Sequence, residues 1–126
     1  MIEATRVPEE YIAGTGNPSS WQYLTTPMAA KRIIGGVDEI QFLYVAPRTT
    51  IKTHGHDNQW EVWVRISHKT AHICLIGEEH TLVNDSDEPM TLMAIKGHIN
   101  YSYDDLAELF GLWGFSVEHG SLIVND

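Results

Sequence analysis

The sequence predicts an all-β fold, a small antiparallel β-barrel or jelly roll that carries one short helix near its C-terminus. Three observations lead there. From Ile40 onward, runs rich in β-branched and aromatic residues recur at short, regular spacing with turn formers between them. The helical period surfaces once, late in the chain. The 126 residues, 43% of them hydrophobic, suffice for one core and are too few for two.

Residues 1–39 read as an N-terminal arm and loop. Gly14-Thr15-Gly16-Asn17-Pro18-Ser19-Ser20 is dense in turn formers and stops any helix begun at Pro8-Glu9-Glu10-Tyr11. Trp21, Tyr23 and Leu24 then form an apolar patch that needs cover, which the partner chain of a homodimer would supply. Residues 40–96 form the expected barrel core. Strands are expected over 40–46, 49–54, 61–66, 71–76 and 90–96, with polar turns at Pro47-Arg48, 67–70 and 84–89. Phe42 and Tyr44 read as core aromatics. Residues 97–126 hold the helix and a tail. Ser102-Tyr103-Asp104-Asp105 resembles an N-terminal cap with acids in the first turn, leading into Leu106–Phe110, and the apolar run after Gly120 predicts a terminal edge strand.

Composition removes several classes of function. With 17 acidic and 8 basic side chains the formal charge is -9, which repels phosphate backbones and anionic lipid surfaces. Nucleic acid and membrane are therefore not expected partners. The single cysteine, Cys74, rules out an internal disulfide and sits in an apolar run as a buried structural thiol. The N-terminus lacks the apolar stretch of a secretory signal, and no run approaches the roughly 18 apolar residues of a membrane span. A cytoplasmic protein is expected.

Two runs carry the chemistry: His54-Gly55-His56-Asp57-Asn58-Gln59-Trp60-Glu61 and Gly77-Glu78-Glu79-His80-Thr81-Leu82-Val83-Asn84. Histidines one residue apart face the same side of a strand, because the strand period is two. Glu61 and a third imidazole, His80, from another strand would complete an N₃O ligand set for one divalent transition metal, leaving positions open for water or substrate. Mn, Fe, Co, Ni, Cu and Zn all accept such donors. The rival reading makes His54 and His56 surface residues of an edge strand. His98, directly after Gly97, is the alternative third histidine, but it lacks the spacing of the Gly77 run. His68, His72 and His119 show no ligand spacing. Trp63 and Arg65 share the face of Glu61 by parity and are expected on the wall of a ligand pocket. There Arg65 would clamp a carboxylate or pair with an acid at the barrel mouth. Asp57, Asn58 and Gln59 form the connecting loop, from which Gln59 is within reach of the open side of the metal.

These two runs resemble the two motifs of the cupin superfamily. His54, His56 and Glu61 match the H-x-H…E of the first motif, and Gly77, His80 and Asn84 match the G-x-x-H-x-x-x-N of the second. The resemblance covers roughly residues 40 to 96. It departs at Arg48 and His68, where the first motif has glycines, and at Leu75, where the second has proline; the stretch between Glu61 and His80 is also short, which predicts a trimmed hairpin. The resemblance implies a metal-holding barrel, a homodimer and a small polar ligand. It implies a sugar isomerase, epimerase or lyase first, an Fe(II)-dependent dioxygenase second and a non-enzymatic binding or sensing module third.

Overall fold

The computed structural model of the chain describes residues 4–23 and 37–125. Its strands are β1 (Thr5–Arg6), β2 (Ile12–Gly14), β3 (Ser20–Tyr23), β4 (Val37–Val45), β5 (Thr49–His54), β6 (Trp60–Arg65), β7 (Thr70–Cys74), β8 (His80–Asp85), β9 (Met90–Gly97), β10 (Ser116–His119) and β11 (Leu122–Asn125). The one described α-helix, α1, spans Tyr103–Leu112. The strands form a seven-stranded sheet, β1-β3-β4-β9-β6-β7-β10, and a four-stranded sheet, β11-β8-β5-β2. All pairs are antiparallel except β7 with β10 and β8 with β11, where the C-terminal tail adds a parallel strand to each sheet. The expected all-β jelly roll with one short C-terminal helix is what the chain adopts.

Two apolar clusters hold it together. Leu43, Val45, Ile51, Trp63, Leu82 and Leu92 fill the space between the sheets. Ile40, Trp60, Val62, Val64, Ile73 and Ile95 lie on the other face of the large sheet, under Leu106 and Phe110 of α1. Strand β6 is buried on both faces for this reason, its even-numbered residues under the helix and Glu61 and Trp63 toward the other sheet. The helix begins at a capping box: Ser102 accepts from the Asp105 backbone N–H, and the Asp105 carboxylate accepts from that of Ser102. Leu106 and Phe110, one turn apart, present the apolar stripe.

Several expectations are corrected. The arm carries three short strands, and Pro8-Glu9-Glu10-Tyr11 yields only a 3₁₀ turn over Glu9–Tyr11. Trp21 is partly buried and packs against the inner core of its own chain, while Leu24 lies outside the described residues. Phe42 and Tyr44 are not core aromatics; each is 38% exposed on the outer face of β4, beyond the reach of α1. Strand β10 went unpredicted because its Ser-Val-Glu-His composition has no strand preference and depends on the β7 edge.

Backbone strain marks the departures from the resembling motif. Arg48 occupies the left-handed region at φ 52°, where a glycine would rest without cost, and its guanidinium is anchored to Asp85 and Asp87 at 3.0 Å each. At the β6–β7 turn the left-handed residue is Lys69, at φ 53°, not His68.

Cys74 is fully buried, and burial, with help from Glu61 and Glu78, pushes its thiol up to about 12. The native protein is therefore expected to resist iodoacetamide at about pH 8 and to take up one label when unfolded in urea. Rapid labelling of the native state would contradict this burial.

Candidate metal centre

His80 opens β8, whose residues 80, 82 and 84 all point inward and are buried. Parity alone thus aims His80 between the sheets. His54 needs more than parity. It lies three residues from the inward-facing Ile51 and would point outward in a regular strand. The register shifts between Ile51, paired with Leu82, and His54, paired with His80, so β5 carries one extra residue. That bulge turns His54 back onto the inner face. His56 is not on the strand at all, contrary to the simple H-x-H reading. It sits in the loop between β5 and β6, held where its carbonyl accepts from the Gly77 N–H at 2.9 Å. Gly55 lets this loop pass close to the second motif, since a Cβ there would meet the Glu78 carbonyl oxygen at 3.1 Å.

His54, His56, Glu61 and His80 converge, with one potential ligand atom from each within 4.8 Å of the others. The Nδ1–H of His54 donates to the Lys52 carbonyl at 2.8 Å and that of His80 to the Glu78 carbonyl at 3.2 Å. Each bond fixes the tautomer and leaves Nε2 as a bare acceptor. The His80 Nε2 is buried with no hydrogen bond, although it lies 3.2 Å from Glu61 Oε1. With Nδ1 carrying the proton of a neutral ring, the two atoms are acceptors facing each other. His56 Nε2 also lies 3.2 Å from the same oxygen. Burial disfavours the Glu61 carboxylate charge, but contacts with His56, His80 and Lys96 outweigh it and hold the group well below the usual carboxylate range. Burial pushes the His54 imidazole down, toward its neutral form. Three imidazoles around an ionised carboxylate, with the buried His80 Nε2 lacking a hydrogen-bond partner, fit a divalent cation.

The cluster opens on a cavity of about 460 Å³ between the sheets. Trp63 lines it and sets its indole edge-on to the His80 ring, 4.9 Å between centroids. Gln59 lines it too, but its amide donates to Asp38 at 3.1 Å. Arg65 does not reach it. Four residues from Glu61 along β6, it lies roughly 13 Å away and bonds His68 at 3.3 Å instead. His98 pairs with Asp38 at 2.6 Å and stands outside the cluster. His119 pairs with Glu78, and His72 bonds the Ser121 carbonyl. Sequence reasoning missed Lys96, Glu39 and Gln41 on the cavity wall. A lysine inside the otherwise apolar β9 was the available signal.

Comparison with solved structures finds this fold elsewhere. A predicted oxalate decarboxylase from Thermotoga maritima superposes with a TM-score of 0.60 at 12% identity, over 78% of this chain and 94% of that one. A cupin-like protein from the same organism aligns with a TM-score of 0.40 at 10% identity, over 82% and 91% of the two chains. No family model and no curated protein matches the sequence.

Proposed function

We propose that this chain, a cupin by fold, holds one divalent transition metal through His54, His56, Glu61 and His80 and uses it on a small polar metabolite bound in the adjoining cavity. The buried, donorless His80 Nε2 facing Glu61 Oε1 supports this reading most directly. Two acceptor atoms at 3.2 Å repel unless a proton or a cation lies between them, and a divalent cation would satisfy both at once. A metal there would supply Lewis-acid polarisation of a carbonyl or hydroxyl, as an isomerase, epimerase or lyase requires. The chain's own residues do the rest. The Lys52 and Glu78 carbonyls orient the imidazoles, Trp63 packs against His80, and the inner core excludes water from the closed side. The cavity size suits a small molecule.

Elemental analysis of the natively purified protein tests the metal assignment, with roughly one ion per chain as the expected content. Anaerobic turnover across panels of sugars and hydroxy acids would favour the isomerase or lyase reading. Oxygen uptake with Fe(II) would replace it with the dioxygenase, and ligand binding without turnover with the sensing module.

Acid is expected to strip the metal. Binding requires neutral imidazoles, so the loaded state carries fewer protons than the free one, and lowering pH drives the ion off. Glu61, held ionised, adds nothing to this dependence near neutrality. Metal retention after dialysis should collapse below the ordinary imidazole value of about 6.5, since burial and the metal both favour the neutral His54 ring. Retention unchanged down to about pH 4 would mean that the histidines are not ligands.

A further inference from the structure

The cavity wall carries a lysine beside the candidate metal centre. Lys96 is on β9, paired in register with Glu61 of β6 on one side and with Glu39 of β4 on the other. Its side chain is only 17% exposed, and its ammonium stands 4.0 Å from Glu61 Oε2, beyond hydrogen-bond distance. Among the described residues it makes no hydrogen bond. The Glu39 carboxylate is engaged by the Gln41 amide, 3.1 Å away. The ammonium thus has an ion-pair partner in Glu61 but N–H donors left over for an acceptor in the cavity.

We propose that Lys96 is the anion-anchoring residue of the cavity, and that its ligand is a small organic monocarboxylate with an apolar body. Charge selects the class. With a divalent cation among the histidines, Glu61, Glu39 and Lys96 leave the cavity one positive charge in surplus, which matches one carboxylate and not a phosphate dianion. A lone lysine between two acids is also a poor phosphate site, which draws on several donors. Shape selects the body. Tyr11, Trp21, Leu43, Ile51 and Trp63 supply apolar wall to the same cavity. This inference rests on the metal reading for its charge balance.

The test uses phenylacetate as the probe, with phenylacetamide and phenyl phosphate beside it, titrated calorimetrically into metal-loaded wild-type protein and Lys96→Met and Lys96→Arg variants. Metal content and circular dichroism are recorded for each. Wild type is expected to bind the acid at least roughly tenfold more tightly than the amide, the worth of one charge-assisted hydrogen bond. Lys96→Met should erase that preference with its metal content undiminished, and Lys96→Arg should keep part of it. Equal binding of acid and amide by wild type, tighter binding of phenyl phosphate, or an undiminished preference in Lys96→Met would overturn the proposal. Failure of the metal reading appears separately, as absence of metal from wild type.

Discussion

Replacing His80 with alanine is expected to remove essentially all bound metal while the chain stays folded. Changes to residues that merely orient a ligand cost about 10–100-fold in metal affinity, so loss of a buried ligand should exceed roughly a hundredfold. No water can replace it cheaply, because the His80 side chain lies under Trp63 with 1% of its surface exposed. The change removes one hydrogen bond, to the Glu78 carbonyl, and leaves a cavity beside Trp63, which carries its own cost in stability. The thermal midpoint separates the two contributions. A resident metal at a thousand times its dissociation constant stabilises the native state by about 4 kcal/mol, so a chelator should lower the wild-type midpoint and leave that of His80→Ala in place. His98→Ala serves as the control, because its ring bonds Asp38 away from the cluster. Full metal content in His80→Ala would sink the assignment, and loss of metal from His98→Ala would move it.

What could be read from the chain without coordinates follows from how local each signal is. The ligand types and the inward aim of His80 depend on strand parity, which is written in the residues themselves. The aim of His54 depends on a bulge, which arises from the fit of β5 against β8 and leaves no mark in either segment. Arg65 illustrates the reverse error. Parity gave it the correct face but no position along the strand, and roughly 13 Å of β6 separates it from the cluster. Lys96 was hidden because its importance comes from register with Glu61 and Glu39, on strands distant in sequence. Phe42 and Tyr44 misled because composition marks a strand without saying which face the helix covers.

Asn84 belongs to the same motif as His80, but its work is structural, and its replacement should give the largest loss of stability. It is fully buried on β8. Its amide donates to the carbonyls of Val45 at 3.2 Å, Ala46 at 3.1 Å and Glu88 at 2.8 Å, and its oxygen accepts from the Ser86 hydroxyl at 2.8 Å. One side chain thus ties the end of β4 in one sheet to β8 in the other and closes the β8–β9 turn. Asn84→Ala removes this donor from the buried Val45 and Ala46 carbonyls, while Glu88 keeps the Ser86 hydroxyl, a cost of about 2–4 kcal/mol. For a domain of this size the thermal midpoint should fall by roughly ten degrees. Asn84→Asp should be worse at neutral pH, because it points a carboxylate at three carbonyl oxygens. It should recover partly in acid, since the introduced group holds its proton more tightly in the folded than in the unfolded chain, so stability rises as pH falls. Urea unfolding of both variants at two pH values measures this. Metal content should stay at the wild-type level at low temperature, because Asn84 lies at the far end of β8, roughly 13 Å from His80. An Asn84→Ala protein within about 1 kcal/mol of wild type would show that water satisfies these carbonyls and that the sheets are joined by apolar packing alone.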